Sequence, residues 1–131
     1  MAVDTTMPVL VVDDYKTMVR IIQNLLKSLG FTDVHGALTG EEAVAKLAEH
    51  NYGLVISDWN MEPMSGYDLL VRMREDDLTR NTPFIMVTAE SKTENVVAAK
   101  RAGVNNYIVK PFNAQTLKQK MVAVLGDLAK A

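Results

Sequence analysis

The stretch Val9-Leu-Val-Val-Asp-Asp-Tyr-Lys-Thr-Met-Val-Arg-Ile-Ile-Gln-Asn-Leu-Leu-Lys-Ser-Leu-Gly30 changes its hydrophobic period midway. Its first four residues are continuously apolar and mostly β-branched, the pattern of a strand covered on both faces. From Met18 the apolar residues Ile21, Ile22, Leu25, Leu26 and Leu29 recur at helical spacing. Gly30 stands where a helix is closed by a residue of positive φ. The unit is therefore strand, two aspartates, helix. The same alternation runs outward from it. Further short apolar runs occur around Val34, at Leu54-Val-Ile56, at Phe84-Ile-Met-Val87 and at Tyr107-Ile-Val109. The run from Thr32 to Ala37 is the least apolar and is expected near a sheet edge.

Helical patterns follow each run. Thr39 and Glu42 form a T-x-x-E capping box ahead of Ala43, Val44 and Leu47. Leu69, Leu70 and Met73 mark a third helix, and Val96 to Ala102 a fourth, closed by Gly103. Asn113 caps a fifth, carried by Leu117, Met121, Val124, Leu125 and Leu128. Asp76 to Pro83 reads as a polar surface loop. Five strands alternating with five helices predict an α/β fold: a doubly wound (βα)5 three-layer sandwich around a parallel sheet. Residues 1–131 are expected to form a single domain with a short tail at 1–7.

Composition narrows the function. The chain has 131 residues, no cysteine and a net charge of −2. Thiolate metal sites, disulfides and cysteine nucleophiles are excluded. No apolar run approaches membrane-span length and the N-terminus lacks signal-peptide features, so a cytoplasmic location is expected. The charge gives no case for nucleic-acid binding. It is uneven, however: residues 1–90 hold 14 acids and 7 bases, whereas residues 91–131 hold 7 bases and 2 acids. A basic stripe containing Lys100, Arg101, Lys118 and Lys120 suits an acidic protein target. The alternative is a set of solvated lysines.

Ligands of doubly wound folds bind beyond the carboxyl ends of the strands. Here those ends carry Asp13 and Asp14, Asp58, Thr88, and Lys110 before Pro111. Three carboxylates brought within about 5 Å of one another repel by about 3 kcal/mol per pair at an effective dielectric near 20. Lys110 offsets one charge, and a divalent cation offsets the rest. An all-oxygen donor set points to Mg²⁺. The same set suits phosphoryl transfer. Asp58 is a candidate nucleophile, Asp13 and Asp14 are candidate metal holders, and Thr88 and Lys110 are donors to phosphoryl oxygens. Taken alone, Asp14 is more readily read as a helix N-cap.

The segments Val11-Val-Asp-Asp14, Asp58-Trp-Asn-Met61, Val87-Thr-Ala-Glu90 and Tyr107-Ile-Val-Lys-Pro-Phe112 resemble the receiver domain of two-component response regulators. The likeness runs from about Pro8 to the C-terminus and is strongest to the single-domain chemotaxis regulators of that family. It implies a flavodoxin-like strand order 2-1-3-4-5 and phosphorylation of Asp58 by a sensor histidine kinase. It implies Mg²⁺ held by the side chains of Asp14 and Asp58 and the backbone carbonyl of Asn60, with Asp13 acting through water. Asn60 and Glu90 match positions that tune the lifetime of the phosphoaspartate, and Thr88 with Tyr107 matches a switch pair. A flagellar motor switch protein as target and a phosphatase are the implied partners. Catalysis is confined to the chain's own phosphorylation and dephosphorylation. A phosphate sink or relay intermediate, and a non-phosphorylated adaptor, are the alternatives.

The chain departs from the family pattern Asp-x-x-Met-Pro at one place. Glu62 occupies the proline position and Pro63 follows it, which alters the expected bend of the loop. Trp59 is expected partly exposed beside the pocket. His35 and His50 read as isolated residues, and the eight methionines as adaptable core packing.

Overall fold

In a computed structural model of the chain, residues 5–89, 93–110 and 112–130 are described, with side chains for all of these except 93 and 125–130. The elements alternate strictly: β1 (Val9–Val12), α1 (Lys16–Ser28), β2 (Val34–Ala37), α2 (Gly40–Glu49), β3 (Leu54–Asp58), α3 (Gly66–Glu75), β4 (Phe84–Thr88), α4 (Thr93–Ala102), β5 (Asn106–Val109) and α5 (Ala114–Lys130). All strand pairs are parallel and the order is β2-β1-β3-β4-β5. The weakly apolar β2 lies at an edge, as its composition predicts.

The sheet separates two cores, because successive side chains of a strand leave opposite faces. Val9, Val11, Leu54, Ile56, Ile85, Val87 and Ile108 pack with Ile22 and Leu26 of α1 and Leu117 and Met121 of α5. Leu10, Val12, Val55, Phe84 and Met86 pack on the other face with Leu47 of α2 and Leu69, Leu70 and Met73 of α3. Full burial of each such side chain contributes about 1.5–3 kcal/mol. Met7 packs against the first core, and the Thr5 carbonyl accepts from the Thr32 N–H. Thr5 and Met7 are thereby tied to the segment before β2 and to the first core.

Local signals set the element ends. Gly30 and Gly103 have φ of +104° and +98° and close α1 and α4. The Thr39 hydroxyl accepts from the Glu42 N–H at 3.0 Å, while the Glu42 carboxylate reaches past the cap to the Leu38 N–H at 2.7 Å. A complete reciprocal box instead starts α3, between Ser65 and Asp68. Asn113 Oδ1 accepts from the Thr116 N–H at 2.9 Å, as an N-cap should.

The histidines depart from expectation, and the surface loop after α3 is as expected but anchored inward. His35 is not isolated: its ring bonds Tyr52 Oη at 2.7 Å and Asp33 at 2.6 Å, and His50 lies edge-on at 5.3 Å. The stretch after α3 is more than a loop of solvated side chains. Thr79 is buried with its hydroxyl on the Met73 carbonyl, and Arg74 Nη1 donates to the carbonyls of Thr79 and Thr82. The same guanidinium reaches the Gly103 carbonyl and Asn105 Oδ1. Burial lowers the pKa of Arg74, whose hydrogen-bond acceptors are uncharged.

Candidate functional site

Four strand ends build the site. The parallel register puts Val12 beside Ser57, Asp58 beside Val87 and Thr88 beside Val109. Asp13, Asp58, Thr88 and Lys110 therefore emerge on one rim of the sheet, although they are distant in sequence. One carboxylate oxygen from each of Asp13, Asp14 and Asp58 lies within 4.8 Å of the others. Lys110 Nζ stands 3.0 Å from Asp58 Oδ1 and 3.7 Å from Asp13 Oδ2.

Burial makes this arrangement electrostatically costly. Asp13 and Asp58 are only 2% and 6% exposed. Loss of solvation pushes the Asp58 carboxyl above its ordinary pKa, against the hydrogen bond from Lys110 that stabilises its charged form. Asp13 is raised for the same reason, partly opposed by the Tyr15 N–H that donates to Oδ1 at 2.9 Å. The other oxygen, Oδ2, is buried without a hydrogen-bond partner among the described residues. Such an atom normally costs about 1–3 kcal/mol.

Three carboxylates facing one ammonium leave two negative charges. An all-oxygen donor set, a buried oxygen without a hydrogen bond and a double negative excess fit a divalent cation of the hard, oxygen-seeking kind. Asp14 supports this reading. It is exposed, and the N-cap of α1 is Tyr15, which makes no side-chain cap hydrogen bond. A cap would contribute about 1 kcal/mol, yet Asp14 does not supply it.

The loop leaving β3 holds the remaining parts. The Trp59 N–H donates to the Val87 carbonyl, and the Trp59 carbonyl accepts from the N–H groups of Met61 and Gly66. A Cβ on Gly66 would sit 2.1 Å from the Asp58 carbonyl oxygen, so glycine alone lets α3 start this close to the acceptor strand. The Glu62–Pro63 bond is cis, and Glu62 is exposed. A groove of about 350 Å³ runs along the loop, lined by Asp14, Trp59, Asn60, Met61, Glu62 and Ser65. Trp59 is half-buried and stacks on Tyr67 at 5.6 Å.

The other positions singled out in the sequence divide. Thr88 is buried at the end of β4, and its carbonyl accepts from the Lys110 N–H at 2.7 Å. Tyr107 is half-buried against the α3-side core. Glu90 lies outside the described residues. Lys100 and Arg101 are exposed in the last turn of α4. Lys118 borders a groove between Leu29 and α5, whereas Lys120 is two residues further along the helix. Helical residues two apart do not share a face. Lys118 and Lys120 therefore leave α5 in different directions. Sequence reasoning had also passed over Ser65 and the depth at which Gly66 meets Asp58; the S-x-x-D spacing of the α3 cap was the available signal.

Comparison with known proteins agrees with this geometry. A family model described as the response regulator receiver domain matches residues 9–122. The chain is 48% identical over 115 residues to chemotaxis protein CheY of Pseudomonas aeruginosa, covering 88% of this chain and 93% of that protein. It is 45% identical over 122 residues to CheY-3 of Vibrio cholerae, covering 93% and 94%. Among solved structures, CheY4 of Vibrio cholerae superposes with a TM-score of 0.87 at 32% identity, over 92% of this chain and 99% of that one. The receiver domain of a Pseudomonas aeruginosa sensor histidine kinase, solved with magnesium coordinated in its active-site cleft, gives 0.83 at 26% identity over 92% and 98%. An acidic cup opposite a lysine, on a five-stranded sheet of this order, is thus the framework of a known signalling module, and the chain belongs to the response regulator receiver domain family.

Proposed function

We propose that Asp58 is a phosphoacceptor served by a sensor histidine kinase, and that its phosphorylation alters affinity for a protein target. The observation that carries this reading is the ammonium of Lys110 held 3.0 Å from Asp58 inside a three-carboxylate cup. A fold bears buried like charges at a cost, and a site where several groups perturb one another is a site built for chemistry.

In the step itself, an Asp58 carboxylate oxygen attacks phosphorus while the bond from phosphorus to the donor imidazole nitrogen breaks. The imidazole keeps the electron pair and takes a proton from solvent. The Asp58 carboxylate becomes an acyl phosphate. Lys110, whose ammonium faces Asp58, neutralises a phosphoryl oxygen, and the Thr88 hydroxyl donates to another. Asp14, Asp58 and the Asn60 carbonyl would hold Mg²⁺, with Asp13 ligating through water. When bound there, such an ion would supply positive charge against the carboxylates and the incoming phosphoryl group. By their match to the family pattern, Asn60 and Glu90 are assigned to tuning the lifetime of the phosphoaspartate.

The new dianionic group makes contacts available in only one conformer, which shifts the population. Thr88 and Tyr107, on neighbouring strands, transmit that shift. Lys100 and Arg101, with Lys120, present positive charge to an acidic segment of the target, and Lys118 adds charge on the α1 side. The relatives named for chemotaxis favour a flagellar motor switch protein as that target, with a phosphatase to end the signal. Among the described residues no helix is long and apolar enough to cross a membrane.

Trp59, in the groove wall, provides the test. Addition of Mg²⁺ changes its emission, and beryllofluoride or a small phosphodonor changes it again. Asp58→Asn removes the second change, and mass spectrometry finds one phosphoryl group on the wild type only. No covalent phosphate under saturating Mg²⁺ would overturn the reading in favour of an adaptor.

A further inference from the structure

Glu62 stands where the family pattern has proline, and it lines the same groove as Asp14, Asn60 and Trp59. Its side chain is exposed, and no described contact ties it to a cation. Asp14, also exposed, lines the same groove, and one of its carboxylate oxygens lies within 4.8 Å of one on Asp58. Two carboxylates therefore line the groove beside the acceptor, whereas the compensating Lys110, 3.0 Å from Asp58, is not among the described residues that line it.

Resting on the phosphoacceptor reading above, we infer that Glu62 is a specificity-determining residue: its carboxylate screens the groove against free anionic phosphodonors. A small acyl phosphate reaches Asp58 as a dianion that must pass both carboxylates with no protein surface of its own to offset them. A phosphohistidine on a kinase domain arrives with neighbouring groups that can answer Glu62, by an N–H or a basic side chain. The residue thus lowers unspecific labelling from the metabolite pool and leaves the kinase as the effective donor. The chemistry at Asp58 is unchanged. With acetyl phosphate, its carboxylate forms the bond to phosphorus, and acetate leaves with the electron pair.

Charge scaling separates this role from a structural one. Initial rates of Asp58 labelling are measured for wild type, Glu62→Gln and Glu62→Lys, each at saturating Mg²⁺ fixed by prior titration. Acetyl phosphate and phosphoramidate, which carries less net negative charge, serve as donors. At low ionic strength Glu62→Gln accelerates labelling by acetyl phosphate about three- to tenfold, as expected for a dianion passing one charge at roughly 7 Å in water. Glu62→Lys accelerates it further. The gain with phosphoramidate is smaller, and both gains shrink in about 0.5 M salt, where the screening length falls to about 4 Å. Equal rates for the three proteins with acetyl phosphate, or gains that ignore donor charge and salt, would remove the screening role and leave the phosphoacceptor intact. No label on Asp58 in any of the three proteins removes both.

Discussion

Asp13 concentrates the site's tension in one side chain. It is buried, one of its oxygens has no hydrogen bond, and Asp58 and Asp14 both raise its pKa beyond the effect of burial. Replacement by Asn removes a charge that the metal-free fold disfavours. Asp13→Asn is therefore expected to raise the thermal midpoint in the presence of chelator. It should also weaken Mg²⁺ binding, read from Trp59 emission. The pH dependence follows the same sign. The folded-state pKa of Asp13 lies above its ordinary value of 3.8, so its contribution is fully present below that value and is lost as pH rises through the raised one. The stability gap between Asp13→Asn and wild type, without metal, should thus widen from about pH 4 towards neutrality and close on acidification. A gap independent of pH would show that the Asp13 charge is not the cause.

At the scale of elements, two junctions hold the site in place. Gly66 joins α3 to the end of β3, where a methyl group would collide with backbone rather than with a side chain that could move aside. Gly66→Ala is expected to cost about 2–3 kcal/mol, within the range for overpacking, and to reduce Asp58 labelling because the acceptor's own carbonyl must shift. Denaturant unfolding and labelling rates check the two effects. Arg74 makes the second junction. Arg74→Met keeps the apolar stem but leaves the Thr82 and Gly103 carbonyls without their donor, a loss of about 2–3 kcal/mol.

These junctions also mark the boundary of what the sequence disclosed. Apolar runs and helical stripes were enough to place all five strands and the edge position of β2, because burial on both faces leaves a compositional trace. The rim of Asp13, Asp58, Thr88 and Lys110 was legible too, since a parallel sheet aligns carboxyl ends whatever the side chains. Arg74 was not. A guanidinium held by carbonyls leaves no charge partner in the sequence, and its acceptors come from residues 5 to 31 positions away. The Asp33, His35, His50 and Tyr52 cluster was missed for a similar reason, since β2 and the start of β3 meet only through β1. Lys118 and Lys120 are close in sequence but diverge around α5, which a reading by charge alone does not register.

For the whole molecule, the two cores on either side of the sheet share a wall but few residues. Charge reversal on the α4 side should therefore affect target binding without disturbing phosphorylation. Lys100→Glu with Arg101→Glu is expected to weaken a phosphorylation-dependent target at least tenfold while Asp58 labels at its normal rate; isothermal titration and mass spectrometry separate the two. The same pair of substitutions with unchanged affinity would move the target face elsewhere. Finally, Arg74 grips the Gly103 end of α4, whereas the helix begins just beyond the strand that ends in Thr88. The helix resembles a door bolted at its lower hinge. Whatever force the rim applies must tilt it about that bolt, so amides of the first turn should exchange with deuterium sooner than those beside Gly103, and loosening the bolt should blur a swing into a drift.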